Sequence, residues 1–263
     1  MKSLVNISGS VYKNNYEIID FTLAELQIFK RRQRYEFRST LENDKYNILS
    51  FDEIVNQVNL LNDDFPRVIN SSTKVGLYIE IKNYDWYLAE HNIDMAEQLF
   101  NALKAHGLSQ VADCESKIPI IIQSFYIEAL AKFATLSDLP LVYLMHYSAS
   151  QVWDFEAIGA IVHGLGPSSD YLFNWTPPSD FVSTSPTMSP FIQIAHAHNM
   201  AVHPYTFQDD ALKYTASAVD EVKLYISAGI DGLFNEFPHS TYNLFTAFGT
   251  QANFPASSQS FLQ

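Results

Sequence analysis

The chain has 263 residues, a formal net charge of −13 at neutral pH and 47% hydrophobic residues. Its length suits one large α/β domain that buries a full core. The acidic balance argues against a nucleic-acid-binding protein, because affinity for the phosphate backbone depends on clustered Lys and Arg side chains. No run approaches 18 consecutive apolar residues, so we expect no membrane span, and the single cysteine, Cys114, excludes an intrachain disulfide.

Two capping boxes predict helix starts in the first quarter of the chain. Thr22-Leu23-Ala24-Glu25 precedes a short apolar segment and the basic run 30–32, which we interpret as a solvated helix end. Ser50-Phe51-Asp52-Glu53 precedes an amphipathic pattern with apolar residues at helical spacing. Both segments are therefore predicted to be helical.

From residue 75 onward, apolar strands alternate with amphipathic helices. The strands are predicted over 75–82, 118–124, 139–145, 180–183, 200–206 and 230–235, and the helices over 91–106, 126–134, 152–161, 189–199, 209–227 and 238–248. Continuous apolar strands separated by helices are typical of a parallel sheet. A TIM (β/α)₈ barrel has eight such units, so six indicate either an open sheet or an incomplete barrel.

The strand over 75–82 ends in a carboxylate and an ammonium two residues apart. Glu80 and Lys82 lie on one face of this strand, whereas Leu77, Ile79 and Ile81 lie on the other. Charged side chains are rarely buried unless they have a partner. A metal ion together with a phosphate would satisfy both groups, and a structural ion pair between them is the alternative.

Polar residues recur at the ends of the other predicted strands, where the active sites of parallel barrels are found. These residues are Gln123, Ser124, His146, Ser183, His203, Tyr205, Thr206, Asn235 and Glu236. Several have a structural alternative: a core histidine for His146, loop hydrogen bonds for Gln123 and Ser124, and packing for Tyr205 and for the nearby Phe207. Trp175 is a candidate roof of the site. Convergence of so many polar groups at one edge favours a binding site over chance.

Five segments, in order and spacing, resemble the glycerophosphodiester phosphodiesterases, especially their periplasmic and secreted branch. They are Asp20-Phe21-Thr22-Leu23-Ala24-Glu25-Leu26, Gly76-Leu77-Tyr78-Ile79-Glu80-Ile81-Lys82, Ile122-Gln123-Ser124-Phe125, His203-Pro204-Tyr205-Thr206-Phe207 and Gly229-Ile230-Asp231-Gly232-Leu233-Phe234-Asn235-Glu236-Phe237-Pro238. The resemblance covers about residues 18–245 within a single domain spanning 1–263.

This resemblance implies a TIM barrel that hydrolyses glycerophosphodiesters to an alcohol and glycerol 3-phosphate with a divalent cation, Ca²⁺ or Mg²⁺. Glu80 matches the family's metal-binding glutamate, and Lys82 matches the lysine that contacts the phosphate. Gln123, Tyr205 and Phe207 are the further candidates for substrate binding. The resemblance implies a small-molecule substrate, and it suggests a secretory route for the parent protein.

The family's His-Arg-Gly, Glu-x-Asp and His-Asp motifs, which carry the catalytic histidines and further metal ligands, are absent from this sequence. We therefore expect the chain to lack strands one and two of the barrel, as in a 5′-incomplete gene model, and to retain no family catalytic residue. Hydrolysis by the chain itself is expected to be weak or absent. The alternatives are a non-catalytic phosphodiester-binding remnant, a related TIM-barrel phospholipase, or an enzyme that uses His203 or His146 as a substitute base.

Overall fold

The computed structural model describes residues 16–69, 74–114, 117–148, 151–173, 189–240 and 243. The predicted strand over 180–183 and the candidate roof residue Trp175 lie outside the described residues. The chain divides into two compact units, Met1–Ser72 and Thr73–Gln263, and each is described by itself. A single domain over 1–263 stays a prediction.

The first unit contains a 3₁₀ turn, Ile18–Asp20, followed by helices α1, Leu23–Leu26, and α2, Phe51–Ile69. Both capping boxes form as predicted. Thr22 N donates to Glu25 Oε2 at 2.9 Å, and Glu25 N donates to Thr22 Oγ1 at 3.3 Å. Ser50 N donates to Glu53 Oε2 at 2.7 Å, and Glu53 N donates to Ser50 Oγ at 3.2 Å. These reciprocal bonds satisfy backbone N–H groups that have no partner within the helix.

The second unit alternates strands with helices. Its strands are β1, Leu77–Ile81; β2, Ile120–Ser124; β3, Leu141–Met145; β4, Gly164–Pro167; and β5, Ala201–Val202. Its helices are α3, Tyr84–His91; α4, Met95–Ala105; α5, Val111–Cys114; α6, Ile127–Ala134; α7, Phe155–Gly159; α8, Phe191–Ala197; and α9, Ala218–Ala228, with a 3₁₀ turn at Ser169–Leu172.

The five strands form one parallel sheet in the order β1-β2-β3-β4-β5. Residues 231–236 lie alongside residues 202–207: Asp231 N donates to Val202 O and Phe234 N to Pro204 O, both at 3.0 Å, and Phe207 and Asn235 form a parallel bridge. The predicted α/β class with a parallel sheet is therefore confirmed. Within the described residues the sheet does not close, which agrees with an incomplete barrel.

Strand β4 was not predicted from the sequence, because it contains two glycines and a proline and no β-branched residue. The fold needs small residues there. A Cβ atom on Gly166 would lie 2.6 Å from Leu144 Cδ2, and one on Gly164 would lie 3.0 Å from Ala201 O. Close approach to the strands on either side therefore selects glycine at positions where β propensity favours larger residues.

Two helix predictions are corrected by the structure. The predicted helix over 91–106 is α4, which begins after Asp94, whose side chain accepts from the N–H groups of Ala96 and Glu97, and a separate helix, α3, precedes it. The predicted helix over 209–227 is α9, which begins only after the N-cap Ser217. In both cases a local cap decides the first residue of the helix.

The interior of the second unit is apolar. Fully buried side chains come from β2, β3 and β4 and from the helices that cover them, and they include Ile122, Phe133, Leu141, Met145 and Leu165. No helix within the described parts of the chain has the length and apolarity needed to cross a bilayer.

Candidate functional site

A cavity of about 340 Å³ opens at the carboxyl ends of the strands. It is lined by Glu80, Gln123, Phe125, Leu144, Tyr205, Thr206, Phe234 and Asn235. The parallel register places Glu80 of β1 directly beside Gln123 of β2, because both residues lie near the same end of their strands. We call this the strand-end cavity.

Glu80 and Lys82 form an ion pair, with Lys82 Nζ 3.3 Å from Glu80 Oε2. Their surroundings differ, because 22% of the Glu80 side chain is exposed and 71% of the Lys82 side chain is exposed. Glu80 therefore lines the strand-end cavity, whereas the lysine lies in solvent beside it. An ion pair exposed to this extent contributes only about 0–1 kcal/mol to stability, so a gain in stability does little to explain why these two charged residues are present.

Gln123 and Ser124 have different environments although they are neighbours. Gln123 is 8% exposed, and its Oε1 atom is buried without a hydrogen-bond partner among the described residues. Ser124 Oγ donates to Ile81 O at 2.8 Å and accepts from Tyr126 N at 3.1 Å. Ser124 therefore has a structural role, since its hydroxyl forms hydrogen bonds with the backbone. Gln123 presents an acceptor that lacks a partner, which costs about 1–3 kcal/mol unless a ligand or water satisfies it.

The aromatic residues Tyr205 and Phe207 lie in different places. Tyr205 lines the strand-end cavity, its hydroxyl donates to Met145 O at 2.9 Å, and burial raises its pKa to about 12. Its hydroxyl therefore stays protonated at neutral pH. The Phe207 side chain is only 1% exposed, and its ring lies 6.4 Å from the Tyr225 ring. The structure does not bring Phe207 into the cavity lining, and packing explains its burial.

The two candidate substitute bases are also held differently. His203 Nδ1 lies 3.1 Å from the Tyr78 hydroxyl, and burial lowers the pKa of His203, an effect that Asp231 partly opposes. His203 is not among the residues that line the strand-end cavity. His146 is exposed, its ring stacks on Phe125 at 4.0 Å, and its Nδ1 lies 3.4 Å from the Tyr205 hydroxyl. Neither imidazole lines the cavity with Glu80.

The divalent cation implied by the resemblance can be tested against the residues present. Hard cations take several oxygen ligands, six to eight for Ca²⁺ and six for Mg²⁺. Among the described residues, no group of three or more His, Cys, Asp or Glu side chains could hold a metal ion. Glu80 is the one carboxylate among the described residues of the cavity lining, and it pairs with Lys82. The described residues therefore do not fit a complete metal site.

A second cavity of about 320 Å³ adjoins the first through Tyr205 and Thr206. Its wall includes Glu221, a 2% exposed carboxylate that accepts from the backbone N–H groups of Lys213, Tyr214 and Thr215. Glu221 belongs to none of the predicted strand ends or family segments. The sequence offers only a weak signal for it, a glutamate four residues after the N-cap Ser217.

The model of the glycerophosphoryl diester phosphodiesterase family matches residues 2–240. Glycerophosphodiester phosphodiesterase GDPD6 of Arabidopsis thaliana is 29% identical over 251 residues, which cover 86% of this chain and 63% of that protein. The glycerophosphodiester phosphodiesterase of Haemophilus influenzae is 27% identical over 267 residues, which cover 85% of this chain and 68% of that protein. The chain thus spans less than two thirds of the length of the Arabidopsis relative.

Two solved structures share the fold at 14% sequence identity. A crystal structure from Silicibacter pomeroyi, described as a glycerophosphoryl diester phosphodiesterase, has a TM-score of 0.62 and matches 91% of this chain and 72% of its own. A corresponding structure from Agrobacterium tumefaciens has a TM-score of 0.53 and matches 89% of this chain and 74% of its own. The match of the family model over most of the chain confirms the sequence resemblance, and the chain belongs to the glycerophosphoryl diester phosphodiesterase family.

Proposed function

We propose that the protein hydrolyses glycerophosphodiesters to an alcohol and glycerol 3-phosphate, and that the strand-end cavity of this chain binds the substrate. The observation that carries the proposal is the convergence of Glu80, Gln123, Tyr205 and Asn235 on one cavity at the carboxyl edge of a parallel sheet. Polar groups are scarce in the interior, so their meeting at this edge indicates a ligand that uses them. Membership of the family supplies the chemical class of that ligand.

The cavity and the lysine beside it offer groups that fit a phosphodiester with a glycerol arm. The Lys82 ammonium attracts the phosphate, and Gln123 Oε1, which has no partner among the described residues, accepts from a glycerol hydroxyl. Tyr205 stays neutral and forms part of the wall, since its hydroxyl already donates to Met145 O. Phe207, a substrate-binding candidate from the resemblance, lies in the core and is given no part in substrate binding.

We propose only weak hydrolysis by this chain alone. A positioned general acid or base contributes roughly 10²–10⁴-fold to rate, and none of the residues that the structure places in the cavity lining is a histidine. The family generally uses divalent metal ions. For full activity we propose Ca²⁺ or Mg²⁺ with Glu80 as one ligand; further ligands would have to come from outside the described residues. A secretory route also stays a proposal.

Binding of glycerol 3-phosphate to the purified chain tests the proposal, with affinities measured by calorimetry in EDTA. Lys82→Met removes a largely exposed charge, for which Coulomb attraction at 4 Å in a water-like medium is about 1 kcal/mol, so we expect about fivefold weaker binding. Glu80→Gln removes a negative charge from the cavity wall, so binding should strengthen. Lys104→Met, on the exposed side of α4, is the matched control and should leave the affinity unchanged.

The two charge changes must act in opposite directions in EDTA. Equal weakening by Glu80→Gln and Lys82→Met would contradict the assignment of Glu80 as a repulsive wall group in the absence of metal. No binding of glycerol 3-phosphate to the unsubstituted chain would contradict the phosphodiester site itself. A parallel assay of glycerol 3-phosphate release from glycerophosphocholine should show only slow turnover.

A further inference from the structure

An aromatic pocket of about 260 Å³ lies beside the strand-end cavity, and Phe125 and Leu144 line both. Its lining is Phe125, Tyr143, Leu144, Met145, His146, Tyr147, Ser148, Gln151 and Trp153. Five of these nine residues carry rings. The two shared lining residues show that the two cavities are adjacent.

The rings of the aromatic pocket are held in several orientations. Phe125 and His146 stack at 4.0 Å with 7° between their planes, whereas Tyr143 and Trp153 meet at 80° with centroids 6.0 Å apart. Tyr147 is 51% exposed, and its ring lies 5.1 Å from Tyr171. The pocket wall thus contains both stacked and edge-to-face ring pairs, and Tyr147 is exposed to solvent.

Hydrogen bonds outside the pocket hold this arrangement in place. The Tyr171 hydroxyl accepts from Ser148 N at 3.0 Å and donates to His146 O at 3.0 Å. It therefore ties together the backbone that follows β3, which carries His146 and Tyr147. Ring positions that are set before a ligand arrives reduce the entropy lost on binding.

Several polar groups of the lining already have partners. Gln151 Nε2 donates to Val152 O at 3.3 Å, and Met145 O accepts from the Tyr205 hydroxyl at 2.9 Å. Among the described residues that line the pocket there is no lysine or arginine, and the chain carries a net charge of −13. The aromatic rings are therefore the groups of the lining that attract a cation, through the ring quadrupole.

We propose that the aromatic pocket binds the quaternary ammonium head of a choline-type leaving alcohol, which makes glycerophosphocholine the preferred substrate class; this rests on the proposed phosphodiesterase function. The small volume suits a head group and not an acyl chain, since pockets for drug-sized ligands measure about 300–1,000 Å³. The phosphate then lies in the strand-end cavity and the trimethylammonium group among the rings.

The test is the binding of choline and of its neutral carbon isostere, 3,3-dimethylbutan-1-ol, to the full chain at pH 8, followed by NMR of the ligand methyl protons. A cation–π contribution of about 1 kcal/mol predicts that choline binds about fivefold more tightly than the isostere. Tyr147→Leu should remove most of this difference, and Tyr147→Phe, which keeps the ring face, should retain it. Trp86→Leu, on α3 beside Tyr87 and His91 and not among the lining residues of the pocket, is the control and should change neither affinity.

Equal affinities of choline and the isostere would overturn the proposal, as would a Tyr147→Leu variant that binds choline like the parent. Tighter binding of myo-inositol or glycerol than of choline would also overturn it in favour of a polyol pocket. The Trp153 indole N–H, which has no partner among the described residues, would serve such a polyol. Glycerol 3-phosphate binding, measured on the same samples, separates failure of this inference from failure of the proposed function. If it persists while choline does not bind, only this inference fails; if choline alone binds, the proposed function fails.

Discussion

Replacement of Glu221 tests how the wall of the second cavity is built. The carboxylate accepts from Lys213 N at 2.9 Å, from Tyr214 N at 2.9 Å and from Thr215 N at 3.2 Å. These three donors belong to the loop that follows Tyr205 and Thr206 and leads into α9. Glu221→Ala leaves all three backbone N–H groups without this acceptor.

The expected loss of stability follows from the number of donors and their burial. A buried donor left without a partner costs about 1–3 kcal/mol, which sets an upper bound near 9 kcal/mol for three donors. Tyr214 is buried, whereas Lys213 is exposed and Thr215 is partly exposed, so water can reach two of the three. We therefore expect Glu221→Ala to lower the free energy of unfolding by about 3 kcal/mol. Glu221→Gln keeps one carbonyl oxygen, and we expect a loss of about 1–2 kcal/mol.

Urea denaturation followed by circular dichroism measures both changes, with Glu156→Ala as the control. Glu156 is an exposed acidic residue in the first turn of α7, and its replacement should change the free energy of unfolding by less than about 0.5 kcal/mol. A Glu221→Ala variant as stable as the parent would refute the proposed role of the carboxylate. The same conclusion would follow if Glu221→Gln were as destabilising as Glu221→Ala.

Three further predictions concern pH, packing and thiol reactivity. Burial lowers the pKa of His163, so the unfolded chain binds its proton more tightly, and the free energy of unfolding should fall as the pH drops below about 6.5. His163 Nδ1 accepts from Leu141 N, and His163→Asn keeps an acceptor for that N–H but cannot be protonated. This substitution should therefore flatten the dependence of the free energy of unfolding on pH, measured by urea denaturation between pH 7 and 5. Gly76→Ala places a Cβ 2.6 Å from Pro119 O and should cost about 1–3 kcal/mol in urea denaturation, whereas Gly159→Ala, with no contact under 3.6 Å, should not destabilise; equal effects would contradict the steric reason. Burial raises the pKa of Cys114 to about 11, so Ellman's reagent at pH 8 should label it slowly in the native chain and rapidly in urea; rapid native labelling would show that the thiol is accessible.

Local sequence signals predicted much of the scaffold. The apolar runs over 75–82, 118–124 and 139–145 became β1, β2 and β3, because an uninterrupted apolar strand is stable only where both faces are covered. The capping boxes at Thr22 and Ser50 formed because their bonds join residues only three apart. The order of motifs around Glu80 and His203 predicted the family, which the family model confirms.

Other features depended on contacts between distant parts of the chain. Strand β4 exists because Gly166 allows Leu144 to pack against its backbone, a contact that no local propensity contains. Glu221 is buried because the loop before α9 folds back over it and directs three N–H groups at its carboxylate. The start of α9 and the wall of the second cavity are consequences of that loop.

For the candidate site, the sequence by itself determined which residue types reach the strand ends, since the two-residue period of a strand separates Glu80 and Lys82 from their apolar neighbours. Only the tertiary structure decided where each side chain lies. It places Glu80 and Gln123 side by side through the β1–β2 register, leaves Lys82 in solvent, and turns Tyr205 to the cavity and Phe207 to the core. The physical reason is that alternation assigns a residue to a face, whereas burial and partners on that face come from strands and loops that are distant in sequence.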